Sequence, residues 1–219
     1  MTFDPVAPVY DALARLVFGR QLQRAQTELI GSVTLPNQSA SILIVGGGTG
    51  FLLLNILKKF PGCRVLHLEA SGSMNRRATR RLLRTFTSGA APETVAFRTG
   101  DETTLSPGEQ FDLILLPFVL DLFTEATLKT RFLPRLQAAT APGGQWLVTD
   151  FVNSPLWYHR TLLWTMFRFF RLTTCIEARQ LPDWQRLLIE VGLCQQASTN
   201  RMNGLVVSAL LRQLPKQLL

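Results

Sequence analysis

Apolar runs short enough to be strands alternate with amphipathic stretches over most of the chain. Residues 41–45, Ser-Ile-Leu-Ile-Val, are apolar after the serine and rich in β-branched side chains, the pattern of a parallel strand covered on both faces. Glycines end that run, and the spacing beyond them predicts a helix over 51–60. The same alternation predicts strands at 64–68, ending at Glu69, at 95–98, and at 113–116, the last opened by Phe111 and Asp112. A helix over 127–139 should stop at Ala141-Pro142-Gly143-Gly144, ahead of a strand at 145–151. Another helix, over 181–191, ends at Gly192. Runs at 193–199 and 205–211 flank Met202-Asn203-Gly204, and Asn-Gly between strand-like runs predicts a hairpin. The class is α/β.

Two stretches depart from this rhythm. Ahead of the first strand, Leu13, Leu16, Val17 and Phe18 recur at helical intervals before Gly19, an amphipathic helical lead-in. After Asp150 the chain turns aromatic, from Leu156-Trp157-Tyr158-His159-Arg160 through Trp164, Met166, Phe167, Phe169 and Phe170. Polar residues interrupt it too often for a membrane span. Wound as a helix, it places Arg160, Trp164, Arg168 and Arg171 on one face and Leu156, Leu163, Phe167 and Phe170 on another. An amphipathic lid and an unusually aromatic core helix both fit that pattern.

The glycines at 46, 47, 48 and 50 are the first candidate chemistry. At such a bend the backbone can take positive φ and pass close to a ligand that a Cβ would hold off. A triphosphate-binding loop needs Lys right after its last glycine, and the first lysine here is Lys58. A dinucleotide fingerprint counted from Gly46 and Gly48 would need its third glycine at Phe51. What remains is Gly-x-Gly-x-Gly, which a plain strand-to-helix turn could also explain. Glu69 follows the loop by roughly 20 residues, the distance at which an acid reaches ribose hydroxyls in nucleotide-binding α/β folds.

The length of 219 residues and a hydrophobic fraction of 47% suit one α/β domain with a sizeable core. The first residues form no charged-then-apolar leader, so an intracellular, cytoplasmic protein is expected. Cys63, Cys175 and Cys194 are far apart and show no zinc or dithiol spacing, so no metal is implied. The net charge of +8 invites a nucleic-acid reading. Much of it, however, is Arg76, Arg77, Arg80, Arg81 and Arg84, spaced as the solvated face of a helix whose other face carries Met74, Ala78 and Leu82. No aromatics interleave with these arginines, so a base-stacking platform is not indicated.

Taken together, the motifs resemble those of the class I S-adenosylmethionine-dependent methyltransferases, with the ubiquinone/menaquinone-type small-molecule enzymes the nearest group. Ile42 to Gly50 is similar to their motif I, and Glu69-Ala70-Ser71-Gly72-Ser73-Met74 to their Asp/Glu-x-Ser-x-x-Met. Gly100-Asp101-Glu102-Thr103-Thr104-Leu105 looks like Gly-Asp-Ala-x-x-Leu, and the stretch from Leu136 to Asp150 like Leu-x-x-x-x-Pro-Gly-Gly with a strand ending in Asp. Phe3, Ala7, Tyr10, Asp11 and Leu13 match the N-terminal segment that lies over the cofactor pocket. The resemblance implies a Rossmann-like fold: a mostly parallel seven-stranded sheet, helices on both faces and a C-terminal antiparallel hairpin. It implies S-adenosylmethionine as cofactor, held by Gly46, Gly47, Gly48, Thr49, Gly50, Glu69, Ala70, Met74, Asp101, Glu102, Leu116 and Tyr10. It also implies one domain in four parts: a helical cover at 1–40, a cofactor-binding core at 41–151, a lid and substrate region at 152–192, and a terminal hairpin at 193–219. The family's acidic residue two positions before the first glycine is Ile44 here.

For the acceptor, Leu116-Pro117-Phe118-Val119 lacks the polar anchor and second proline with which DNA amino-methylases hold a flipped base, so nucleic acid is disfavoured. The aromatic stretch suggests a small, apolar or aromatic, quinone- or lipid-like acceptor, with contact between 156–171 and a membrane surface. Methyl transfer needs alignment more than a dedicated base; His159, Tyr10 and Asp150 are base candidates by region only. Two other readings stay open: a non-catalytic partner subunit of the same fold, and a basic membrane- or nucleic-acid-binding module.

Overall fold

The computed structural model describes residues 19–86, 94–174, 178 and 180–213. Seven strands form one sheet: β1 (Ser41–Val45), β2 (Arg64–Glu69), β3 (Val95–Thr99), β4 (Phe111–Pro117), β5 (Thr140–Phe151), β6 (Leu193–Arg201) and β7 (Val206–Gln213). Their order is β3-β2-β1-β4-β5-β7-β6. The first five strands pair in parallel, while β7 runs antiparallel to both β5 and β6. The chain winds outward from β1 to β3 and then returns to β4 on the other side, so the strand order reverses between β1 and β4. At such a switch point the loops diverge and leave a crevice at the carboxyl ends of the strands.

The helices are α1 (Gln21–Glu28), α2 (Phe51–Lys59), α3 (Gly72–Thr85), α4 (Glu125–Thr127), α5 (Leu133–Ala138), α6 (Trp157–Thr174) and α7 (Trp184–Glu190). Alternate side chains of each strand feed opposite layers. Leu43, Val45, Ile114, Leu116 and Trp146 pack with Phe132, Leu136, Trp184 and Leu188. On the other face, Ile42, Ile44, Leu113 and Leu115 pack with Leu52, Leu53, Ile56 and Leu57 of α2. Each such aliphatic side chain removed from water is worth about 1.5–3 kcal/mol, and this makes the central strands the firmest part of the fold. A third cluster lies at the strand ends, where Leu163 and Phe167 of α6 join Met74, Phe151, Leu205 and Val206. Among the described residues, no helix is long and apolar enough to cross a membrane.

Three boundaries differ from the sequence expectation. The helix expected over 127–139 starts earlier, at Glu125, because Thr124 caps it by accepting from Thr127 N at 3.2 Å, and it contains a π-helical stretch, Leu128–Phe132. The strand expected from 145 begins at Thr140: Thr140 pairs with Phe111 and Gln145 with Leu113, so the Pro-Gly-Gly segment is an irregularity inside the strand and not a gap before it. The helix expected over 181–191 starts at Trp184, where Asp183 caps it by accepting from Arg186 N at 3.2 Å. Pro182 disfavours helical backbone at Leu181. The lead-in helix with Tyr10, together with Cys175, lies outside the described residues.

The expected hairpin forms, with Met202 and Asn203 at φ 55° and 52° in its turn. Its second strand, β7, inserts between β5 and β6. Ser208 Oγ on that strand donates to Ala25 O at 2.8 Å, tying α1 to the sheet.

Candidate functional site

At the end of β1 the backbone turns through Gly46 (φ 68°) and Gly48 (φ 55°) into α2, with Gly50 as its N-cap. The glycines serve different ends. A Cβ on Gly46 would lie 2.3 Å from Val119 Cγ2, one on Gly47 2.3 Å from His67 Nε2, and one on Gly50 3.1 Å from Ala78 Cα. These three are required by the protein's own packing. Around Gly48 a Cβ would meet nothing within 4 Å, so there the missing side chain faces open space. Thr49 is buried beside it.

Glu69, at the end of β2, is tied to this loop. Its Oε2 accepts from Gly48 N at 2.8 Å and its Oε1 from Ser71 N at 2.9 Å. Ala70 is exposed, and Ser71 caps α3 by accepting from Met74 N at 3.2 Å, which seats Met74 against the third cluster. Glu69 pairs across the sheet with Thr99, two residues before Asp101, and Gly100 N donates to Glu69 O at 3.0 Å. The two carboxylates therefore stand at adjacent strand ends. Asp101 is exposed, with Oδ1 accepting from Thr103 N at 3.0 Å. Partial burial pushes its carboxyl up, but the hydrogen bonds from Thr103 and the Arg131 charge outweigh that and hold it below the ordinary value. Glu102 beside it turns inward and is fully buried, with Arg131 Nε 2.9 Å from its Oε1. Leu116 is likewise enclosed in the first core, and Ile44 in the second.

Beneath the loop lies a polar support that sequence reasoning missed. His67, fully buried on β2, places Nδ1 3.0 Å from Asn75 Oδ1, and Asn75 Nδ2 donates to Thr99 Oγ1 at 2.9 Å. Burial lowers the His67 pKa despite the Asn75 contact, so the ring is neutral at pH 7. The chain from β2 through α3 to β3 fixes the ring edge on which Gly47 rests. A histidine inside an otherwise apolar parallel strand was its only sequence signal.

The far wall is the segment after β4. Phe118 has φ 56°, rare for a bulky side chain, and its ring packs 5.2 Å from that of Phe151. Asp150 holds this segment: Oδ2 accepts from Val119 N at 3.0 Å and Leu120 N at 2.7 Å, and Oδ1 from Phe151 N at 2.8 Å. It thereby sets Val119 against Gly46. Asp121 is buried next to it, and its Oδ1 receives no hydrogen bond. Burial pushes Asp121 up to about 7. Burial and the Asp121 charge also push Asp150 up, against the backbone N–H groups that favour its anion. Of the two, Asp121 is the carboxyl that fewer donors reach, whereas three backbone N–H groups favour the anion of Asp150. His159, in the first turn of α6, is buried with Nδ1 2.7 Å from Ser154 Oγ. Gly48, Glu69, Ala70 and Asp101 thus follow the carboxyl ends of the neighbouring strands β1, β2 and β3, and α6 packs into the third cluster through Leu163 and Phe167.

A side chain should therefore cost far more at Gly47 than at Gly48. Gly47→Ala should lower the melting temperature by several degrees, because the His67 ring has no room to move. Gly48→Ala should cost no more than about 1–2 kcal/mol, the penalty of a left-handed alanine. Thermal melts of the two variants check this.

Residues 43–146 match the family model described as a methyltransferase domain. No curated protein matches the chain in sequence. Among solved structures, mitomycin 7-O-methyltransferase is similar at 22% identity and TM-score 0.67, over 98% of this chain and 61% of that one. The Burkholderia thailandensis 1,6-didemethyltoxoflavin-N1-methyltransferase, solved with bound 1,6-didemethyltoxoflavin and S-adenosylhomocysteine, aligns at 16% identity and TM-score 0.67, over 97% and 86% of the two chains. Human N-acetylserotonin methyltransferase in complex with SAM aligns at 18% identity and TM-score 0.60, over 96% and 56%. The chain spans 61% of mitomycin 7-O-methyltransferase and 62% of the pyocyanin biosynthetic protein PhzM. At these identities the likeness is one of fold.

Proposed function

We propose that this chain, whose sheet order is that of the class I methyltransferase fold and whose residues 43–146 match a methyltransferase-domain model, is such an enzyme and transfers the methyl group of S-adenosylmethionine to a small acceptor seated beside α6. The observation that carries the reading is the tie between Gly48 N and Glu69 Oε2, which presents a side-chain-free backbone and a carboxylate together in the switch-point crevice. Glu69 suits the two ribose hydroxyls of the cofactor. The exposed Ala70 suits one face of its adenine, and Asp101 the exocyclic amine. The cofactor supplies an activated sulfonium methyl; the chain's task is to align the acceptor atom with it and exclude water. The apolar wall of Phe118, Phe151, Leu163 and Phe167 suits an aromatic or quinone-like acceptor. That wall needs no titrating base to position such a ring.

Calorimetry with S-adenosylmethionine and S-adenosylhomocysteine is expected to show saturable micromolar binding, weakened at least about tenfold in Asp101→Ala by loss of one charge-assisted hydrogen bond. Transfer of a labelled methyl group to phenols and reduced quinones should then follow. No binding of either nucleoside would overturn the proposal. Ile44, where the family has an acid, favours a second reading in which the chain binds the cofactor without turnover. Binding with no transfer to any acceptor would select it.

A further inference from the structure

The outward face of α6 sets exposed indoles beside arginines. Its inner side packs Leu163 and Phe167 into the third cluster, while Trp157 and Trp164 are 77% and 63% exposed. These two indoles lie seven residues apart, two helical turns, with Arg160 and Arg168 exposed on the same side. The Arg168 guanidinium stacks 5.6 Å from the Trp164 ring centre. α6 contains no Asp or Glu, and neither Arg160 nor Arg168 has an ion pair among the described residues. Some basic groups on other elements do meet carboxylates, as Lys129 meets Glu190 and Arg201 meets Glu28. Exposed indoles leave apolar ring surface in water, a cost that an interface relieves, and they settle at the boundary between headgroups and acyl chains.

We propose that this face of α6 docks on the surface of an anionic lipid bilayer, Trp157 and Trp164 entering the headgroup boundary while Arg160 and Arg168 meet lipid phosphates. Charge complementarity selects this occupant: a second copy would set arginine against arginine with no carboxylate between them, whereas anionic lipid neutralises both. The inner side of the same helix packs into the third cluster, so docking places that cluster next to the bilayer. The docking itself does not rest on the methyltransferase reading.

The test is sedimentation of the full chain with vesicles of phosphatidylcholine alone or mixed with phosphatidylglycerol. Two basic residues near an anionic surface should tighten binding to the mixed vesicles by about tenfold or more, and rising salt should remove the gain. Emission should shift to the blue and be quenched by brominated lipid, a clear signal because Trp146 and Trp184, the other two tryptophans, are fully buried. Trp157→Ser with Trp164→Ser, both at exposed positions, should weaken vesicle binding by about tenfold. Arg76→Gln with Arg77→Gln on α3 should change it less than about twofold, since those arginines lack indoles beside them. Equal binding to neutral vesicles, equal loss from the α3 pair, preference for a single-stranded oligonucleotide over vesicles, or a blue shift that follows protein concentration instead of lipid would each overturn the proposal.

Discussion

Glu69→Ala is expected to weaken S-adenosylhomocysteine binding by about a hundredfold or more while leaving a folded protein. Two hydroxyls donating to a carboxylate contribute about 1.5–3 kcal/mol each, and about 1.4 kcal/mol is a factor of ten in affinity. The same carboxylate also accepts from Gly48 N and Ser71 N. Its removal leaves two backbone donors without their acceptor and should lower stability by about 2–4 kcal/mol. Calorimetry and thermal melting separate the two losses. Glu69→Gln, which keeps the shape and one acceptor oxygen, should recover more of the melting temperature than of the affinity. A Glu69→Ala protein that binds the nucleoside as tightly as the parent would remove the basis for placing the ribose there.

The second large effect concerns the buried acid pair. Asp150→Ala strips the acceptor from Val119 N, Leu120 N and Phe151 N at once. Three buried donors left unsatisfied cost about 1–3 kcal/mol each, a sum comparable with the whole stability of a domain, so this variant should unfold or fail to accumulate. Asp121→Asn should act in the opposite direction. Burial holds the Asp121 proton on to about 7, where an unfolded aspartate releases it near 3.8. Between those values the folded chain carries a proton that the unfolded chain has lost, so stability falls as the pH rises through this window. An asparagine bears no such penalty. Melts of the two proteins should therefore coincide near pH 4 and separate by several degrees at pH 8, Asp121→Asn being the more stable. Parallel curves across that range would show that burial does not hold the Asp121 proton on.

Legibility in the sequence followed burial. Strands β1, β2 and β4 were readable because a parallel strand covered on both faces must be apolar throughout, and five residues such as Ser-Ile-Leu-Ile-Val leave little else to be. The start of β5 was not: Pro142, Gly143 and Gly144 read as a stop, yet Thr140 still found a partner in Phe111. Local preference lost to a pairing that only the neighbouring strand supplies. Glu69 and Asp101 were readable because strand lengths in this fold fix how far an acid sits from the loop. His67 with Asn75 was not, since eight residues separate them and only the seating of α3 against β2 brings their side chains within 3.0 Å.

What the sequence alone determined was the alternation of buried strands and amphipathic helices, the terminal hairpin and the positions of the loop and its two acids, all set by local spacing and hydrophobic period. Only the tertiary structure decided what each of those residues touches. It made Gly47 a seat for His67 and left Gly48 open, buried Glu102 while Asp101 stayed exposed, and turned Asp150 from a candidate base into the acceptor that holds the β4 loop. These are contacts between segments far apart in the chain, and their energies depend on which groups lose water together, a quantity no single stretch of sequence contains.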